Sequence, residues 1–184
     1  MASKVLIPFA PGFEEMEGII LADILRRGGV GVVVAALDGL QVVASRKTIH
    51  VADTLLSEVI DQEYDLILLP GGLEGTKNLT ASSHLKEILL EQHKKQKWIG
   101  AICAAPNVLR TFGIIGEQDP YTAFPTSIDL SSGGKYSTDR IVSHKNVFTS
   151  VGPGSAFEFA LFLLEKLEGT EVRERVEKAL YLPK

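Results

Sequence analysis

The one cysteine of the sequence, Cys103, stands between an apolar run and a segment of helical character. In Ala101-Ile102-Cys103-Ala104-Ala105 the residues two positions before and two positions after it are small. A strand that turns abruptly into a helix, with a reactive side chain at the turn, requires small residues there. A helix start also favours the thiolate over the thiol. We therefore predict a nucleophile on such a turn; the alternative is a small buried apolar residue.

Two adjacent glycines, Gly71 and Gly72, follow an apolar run that ends at Leu69 and Pro70. Glycine lets the backbone approach a ligand closely because it has no side chain. We predict that the N–H groups of Gly72 and Ala104 form an oxyanion hole for a developing alkoxide. The alternative is a tight turn that only requires a positive φ angle.

Three glutamates, Glu14, Glu15 and Glu17, follow the first apolar run. Acidic residues at a helix start are usually exposed, where they interact with the helix dipole. Glu17 lies at the rim of the apolar stripe of its helix, so its carboxyl group could also face the sheet. A carboxyl group buried beside Cys103 would have a raised pKa and could donate a proton or a hydrogen bond to sulfur. The pattern leaves both interpretations open.

The elements that position these residues are predicted from apolar patterning and from capping residues. Short apolar runs are typical of strands covered on both faces, and spacings of three and four are typical of helices. The predicted strands are 5–9, 30–37, 41–44, 48–51, 65–69, 98–102, 121–123, 140–143 and 146–150. Five helices are predicted. The first covers residues 15–27, the second is capped by Ser82 or Ser83 and ends near Lys95, and the third covers residues 104–112. The fourth begins at a Ser155–Glu158 capping box and ends at Glu168, and the fifth is capped by Thr170.

The alternation of strands and helices predicts an α/β fold, a three-layer α/β/α sandwich with a mostly parallel sheet. A length of 184 residues favours one domain over residues 1–184. Ligands bind such sheets beyond the carboxyl ends of the strands. The cysteine, the glycine pair and the glutamates each follow a predicted strand end, so we expect them to meet at one edge of the sheet.

Composition argues against several classes of function. A net charge of −4 gives no electrostatic basis for binding nucleic acid, and no run of about 18 apolar residues predicts a membrane span. One cysteine cannot form an intramolecular disulfide, and the start of the sequence has no secretory pattern, so we expect a cytoplasmic protein. The four histidines are scattered and no phosphate-loop or zinc-helix motif occurs, so we predict no metal and no cofactor.

Four motifs together resemble the ThiJ/PfpI superfamily. In this sequence they read Ala10-Pro11-Gly12-Phe13-Glu14-Glu15-Met16-Glu17, Leu69-Pro70-Gly71-Gly72, Ala101-Ile102-Cys103-Ala104-Ala105-Pro106 and Gly152-Pro153-Gly154. Their order and spacing match over essentially the whole chain, and the branch that looks most similar is that of the parkinsonism-associated deglycases. The resemblance implies a flavodoxin-like fold, one domain of the class I glutamine amidotransferase-like type, and a homodimer.

The resemblance also implies roles for single residues. Cys103 matches the family's nucleophile and oxidation site, and Glu17 matches a protonated glutamate that is hydrogen-bonded to the thiolate. Met16 matches a methionine at the dimer contact. The positions that match the family's pocket are Glu14, Arg46, Gly71 and Phe124.

Two positions depart from patterns within the superfamily. Phe124 stands where some relatives carry a pocket histidine, so Glu17 would have to move protons alone. Ala104 stands where the protease-like members carry a histidine, which weighs against peptidase activity.

The resemblance implies a cofactor-free glyoxalase or protein deglycase, with a small dicarbonyl or a glycated protein group as substrate. One alternative is a redox sensor or oxidation-gated chaperone, in which Cys103 is oxidised. Another is an amide hydrolase that uses the same cysteine.

Overall fold

A seven-stranded sheet forms the centre of the computed structural model, which describes residues 2–128 and 133–183. The strands are β1 (Lys4–Phe9), β2 (Gly31–Ala36), β3 (Gln41–Val43), β4 (Ile49–Val51), β5 (Thr54–Leu55), β6 (Leu66–Leu69), β7 (Trp98–Ile102), β8 (Pro120–Tyr121), β9 (Lys135–Tyr136), β10 (Ile141–His144) and β11 (Val147–Ser150). The helices are α1 (Glu15–Arg27), α2 (Leu73–Ala81), α3 (Ser83–Lys94), α4 (Pro106–Thr111), α5 (Ala156–Glu168) and α6 (Thr170–Leu180). Single 3-10 turns lie at Leu56–Glu58, Pro125–Ser127 and Pro153–Ser155.

The strand order is β10-β11-β7-β6-β1-β2-β5, and every neighbouring pair is parallel except β10 with β11. Strands β3 and β4 form a separate antiparallel hairpin, and β8 pairs with β9. The prediction of a mostly parallel sheet is confirmed. Because β1, β6 and β7 are neighbours and parallel, the residues that follow their carboxyl ends come together at one edge.

Two apolar cores cover the two faces of the sheet. Successive side chains of a strand point to opposite faces, so in β6 Leu66 and Leu68 join one core whereas Ile67 and Leu69 join the other. Buried side chains of α1, α5 and α6 complete the first core, and those of α2, α3 and α4 complete the second. The three-layer sandwich predicted from the sequence is therefore confirmed.

Several local predictions were wrong. Helix α2 was not predicted, because its sequence Leu-Glu-Gly-Thr-Lys-Asn-Leu-Thr-Ala has few apolar residues to give a helical period. The Ser155–Glu158 capping box does not form: the Ser155 hydroxyl turns inward, and Glu158 pairs with Arg140 at 2.7 Å. Thr170 is inside α6 and donates to Glu165, so it is not a cap.

Helix α4 is shorter than predicted. It begins at Pro106 and ends at Thr111, because residues 103–105 form a turn between β7 and the helix. In the predicted edge region of residues 119–150, β10 is the edge strand and β11 lies inside the sheet. Part of that region, residues 129–132, lies outside the described residues.

Candidate active site

Cys103 occupies a strained turn directly after β7. Its φ angle is +63°, a left-handed conformation that non-glycine residues adopt rarely and mostly at functional sites. The Cys103 N–H donates to the carbonyl of Ser150 at 2.9 Å, and its carbonyl accepts from the N–H of Phe124 at 2.8 Å. Seven per cent of the residue is exposed. The geometry is that of the predicted nucleophile elbow.

Gly71 and Gly72 are required because neighbouring atoms approach their backbone closely, and not only because of the turn. A Cβ atom on Gly71 would lie 2.6 Å from Cβ of Cys103 and 2.7 Å from Oε2 of Glu17. Gly72 has a φ angle of +91°, and a Cβ atom there would lie 2.4 Å from the carbonyl oxygen of Gly12. Contacts this short exclude any side chain. These two glycines therefore allow the thiol and the carboxyl group to meet.

Glu17 is completely buried, although it lies in the first turn of α1. Its Oε2 atom accepts from the N–H of Gly71 at 2.7 Å, and its carboxyl group is within hydrogen-bonding reach of Cys103. The helix start is capped by Glu14, whose carboxylate accepts from the N–H of Glu17 at 2.8 Å. Of the two interpretations of Glu17, the structure therefore shows the one in which the side chain faces the sheet.

Burial raises the pKa of Glu17 to about 8, and the negative charge of Glu14 contributes to the rise. Hydrogen bonds from Gly71 and Cys103 oppose it. The Oε1 atom has no hydrogen-bond partner within the described part of the chain, whereas Oε2 already accepts from Gly71. The proton of the neutral acid therefore belongs on Oε1.

Burial raises the pKa of Cys103 to about 12, and the charge and hydrogen bond of an ionised Glu17 add to the rise. The backbone N–H groups of Gly72 and Ala104 donate to the sulfur and lower the pKa. The contributions from Glu17 arise only after that residue has lost its proton, so the two groups titrate as a pair. A neutral Glu17 would instead be a third donor to the thiolate.

The two backbone donors favour negative charge on the sulfur. Helix α4 starts three residues after Cys103 and has six residues. The N–H groups of Gly72 and Ala104 already point to the sulfur. They are therefore also close to an oxygen atom on any carbon that the sulfur attacks, which is the arrangement an oxyanion hole needs.

The other residues predicted for the pocket are not all brought together. Glu14 is half-buried and donates its backbone N–H to the carbonyl of Gly71 at 2.9 Å. Phe124 is 40% exposed, and its backbone N–H donates to the carbonyl of Cys103. Arg46 is exposed in the β3–β4 turn, where its N–H donates to Glu15, and within the described chain its guanidinium makes no hydrogen bond to Cys103 or Glu14. The structure of one chain thus leaves Arg46 apart from the thiol.

Met16, predicted at a dimer contact, is 54% exposed on α1, and Ile19 beside it is 43% exposed. A cavity of about 570 Å³ lies elsewhere, between residues 60–63 and α3, and its lining is rich in charged side chains, some of which form ion pairs.

No set of three or more His, Cys, Asp and Glu side chains in residues 2–128 and 133–183 is arranged to hold a metal ion. Within the same residues, none of the helices has both the length and the apolar character needed to cross a membrane.

The sequence did not predict the residues that bind the backbone of Cys103 from other segments of the chain. The carbonyl of Ser150 and the N–H of Phe124 bind the backbone of Cys103, and backbone partners leave no signal in residue types. Ser155 had a visible pattern, but that pattern was interpreted as a helix cap.

Comparison with known proteins agrees with the fold. A model of the DJ-1/PfpI family matches residues 3–166. The chain belongs to the DJ-1/PfpI family. It is 42% identical over 188 residues to the Parkinson disease protein 7 homolog of Danio rerio, with 99% of each chain covered. It is 40% identical over 173 residues to the glutathione-independent glyoxalase DJR-1.2 of Caenorhabditis elegans, with 93% of this chain and 91% of that protein covered.

Among solved DJ-1/PfpI structures, Drosophila melanogaster DJ-1beta superposes with a TM-score of 0.95 at 40% identity, and the alignment covers 100% of both chains. Some relatives are longer: this chain covers 40% of Protein DJ-1 homolog B of Arabidopsis thaliana.

Proposed function

We propose that this chain is a glutathione-independent glyoxalase and protein deglycase that uses Cys103 as its nucleophile. The observation that carries the proposal is the contact between the buried Glu17 carboxyl group and the Cys103 sulfur, to which two backbone N–H groups also donate. The glyoxalase name of the Caenorhabditis elegans relative supports the reaction class. The substrate would be methylglyoxal or the groups that it modifies on proteins.

The first step would be addition of the sulfur to the aldehyde carbon. The C–S bond forms as the carbonyl π bond breaks, and the N–H groups of Gly72 and Ala104 stabilise the oxygen that becomes negative. The oxygen then takes a proton from Glu17, or the thiol proton passes to it through Glu17, which gives a hemithioacetal. Glu17 suits this role because its pKa of about 8 lets it accept and return a proton near neutral pH.

The second step would be an internal proton transfer. Glu17 removes the proton from the carbon bonded to sulfur, which forms an enediolate, and returns it to the neighbouring carbon while the hydroxyl proton of the first carbon passes to the oxygen of the second. The product is a lactoyl thioester on Cys103, and water cleaves it to lactate and the free thiol. Methylglyoxal and one water are consumed for each lactate, so the sequence needs no oxidant, reductant or cofactor.

Lactate formation from methylglyoxal without glutathione tests the proposal. We expect turnover by the wild type, loss of at least about a thousandfold in Cys103→Ser, and wild-type turnover in Glu91→Gln, which removes an exposed carboxylate on α3. Release of an unmodified peptide from its methylglyoxal adduct, measured after free methylglyoxal is removed, tests the deglycase activity separately. Equal lactate formation by the wild type and Cys103→Ser would exclude the mechanism.

A redox sensor, acting as an oxidation-gated chaperone or stress protein, is the second candidate. Cys103 is the only cysteine of the sequence, so a sulfenic acid formed there has no second thiol in the chain to resolve it. Further oxidation to the sulfinic acid would add a negative group that a protonated Glu17 can bind. Mass spectrometry after mild peroxide treatment tests this role, and a Cys103 that stays unmodified while free thiols react would exclude it.

The amide hydrolase is supported least. The groups hydrogen-bonded to the Cys103 sulfur in the described structure are Glu17, Gly72 and Ala104, and none is the imidazole that cysteine hydrolases use as a base.

A further inference from the structure

Both backbone groups of Cys103 are bound by residues outside the elbow. The N–H is bound by the carbonyl of Ser150 at the end of β11, and the carbonyl is bound by the N–H of Phe124. A non-glycine residue at positive φ keeps that conformation only where its surroundings impose it. The position of the sulfur therefore depends on how firmly these two outer segments are held.

Buried hydroxyl groups hold both segments. The Thr149 hydroxyl oxygen accepts from the N–H of Thr122 at 2.9 Å, two residues before Phe124. On the other side, the Ser150 and Ser155 hydroxyl groups are 2.7 Å apart. Thr149 is 1% exposed, and both serines are completely buried. The end of β11 thus holds both segments that bind Cys103. One contains Phe124, which binds the Cys103 carbonyl, and the other contains Ser150, which binds the Cys103 N–H.

The Ser155 hydroxyl also closes the turn that follows β11. It contacts the N–H of Gly152 at 3.2 Å and the carbonyl of Gly152 at 2.8 Å. Water does not reach these atoms, so removal of the hydroxyl would leave a buried N–H without a partner. The turn would then relax, and the Ser150 carbonyl that binds Cys103 would relax with it.

We propose that Thr149 and Ser155 are positioning residues that keep Cys103 at positive φ and so keep its sulfur against the N–H groups of Gly72 and Ala104. The inference refines the proposed function, because the same sulfur is the nucleophile there. Its expected effect on the thiol, however, is measured without any substrate.

Alkylation of Cys103 by iodoacetamide between pH 6 and 10 tests the proposal. In Thr149→Val and in Ser155→Ala we expect the rate constant at pH 8 to fall at least fivefold and its midpoint to move to higher pH, since a relaxed Cys103 loses the two backbone donors. Thr149→Ser keeps the oxygen and should restore the wild-type rate. Tyr64→Phe is the matched control, because it removes a buried hydroxyl that binds the Val59 carbonyl remote from the elbow.

Unchanged or faster alkylation in folded Thr149→Val and Ser155→Ala would overturn the proposal. Should a variant fail to fold, amide hydrogen exchange of the wild type decides instead: the N–H groups of Cys103 and Thr122 should open with equilibrium constants within about threefold of each other. Opening of Thr122 more than a hundredfold more often than Cys103 would contradict the coupling. Slower alkylation of the two variants, together with no lactate formation by the wild type, would support the positioning role and reject the proposed function.

Discussion

Two carboxyl groups of this molecule have opposite environments. Glu17 is buried between α1 and the sheet, none of the described residues that shift its pKa is a cation, and burial raises its pKa to about 8. Asp119 lies at the surface beside Lys145 at 2.8 Å and accepts from the N–H of Gly116, and these contacts lower its pKa to about 2. The same chemical group thus keeps its proton up to about pH 8 in one place and is an anion at neutral pH in the other. The comparison shows that burial and ion pairing shift the pKa of a carboxyl group in opposite directions.

Glu17→Gln should produce the largest change. The amide keeps the shape and a hydrogen bond but cannot carry a proton, so we expect lactate formation to fall about a hundredfold to ten-thousandfold. Wild-type activity should rise with pH through about 8, because the fully protonated pair has neither a carboxylate base nor a thiolate. The residual activity of Glu17→Gln should lack that rise. A pH profile shared by the two proteins would show that Glu17 does not control the reaction.

The stability of the wild type should depend on Glu17 in the direction set by its raised pKa. The folded state holds this proton up to about pH 8 whereas the unfolded chain releases it near pH 4.5. The stabilisation that comes with the proton is therefore complete below pH 4.5 and is lost between pH 4.5 and 8, by up to about 5 kcal/mol. Urea unfolding of the wild type and Glu17→Gln at several pH values measures it. A constant difference between the two proteins would contradict the assignment.

Asp119 should affect the pH dependence of stability in the opposite direction to Glu17, and Asp119→Asn tests this. A lowered pKa stabilises the folded state above the pKa of the unfolded chain, near 3.8, and the stabilisation is lost as the pH falls towards 2. The effect should be smaller than that of Glu17, about 1 kcal/mol or less, because the ion pair with Lys145 is partly exposed to solvent. Acid unfolding of Asp119→Asn should lack this loss, and lactate formation should stay unchanged.

Met16→Lys should have the smallest effect on the single chain. Met16 is 54% exposed, so a charge there costs little in folding, but it would oppose burial of Met16 and Ile19 in the proposed homodimer. We expect a lower association constant in sedimentation experiments, with Glu91→Lys as the exposed control. A wild type that stays monomeric at micromolar concentration would reject the dimer.

The sheet and the elbow could be predicted because their signals are local. Short apolar runs identified β1, β6 and β7, and small residues around Cys103 identified the turn. The burial of Glu17 was predicted only as one of two interpretations, since a first-turn glutamate looks the same whether it faces water or the sheet. The apolar cover that decides its pKa comes from elements distant in the chain.

Other features could not be predicted for a related reason. Helix α2 is polar and is stabilised by its packing on the loop before α1, where Gly75 meets the backbone of Phe13. The anchors of the elbow, Ser150 and Phe124, act through backbone atoms, which any residue type supplies. The inward turn of Ser155 depends on a tertiary partner that outcompetes the local cap.

The low exposure of Cys103 should restrict which electrophiles its sulfur can attack. With 7% of Cys103 exposed, we expect a reagent with a narrow reacting end to reach the sulfur more readily than a bulky one. A terminal aldehyde meets that condition, whereas a branched ketone or a bulky aromatic disulfide does not. The depth at which the sheet edge holds its cysteine would therefore spare it from mixed disulfides in a thiol-rich medium while leaving it open to small aldehydes.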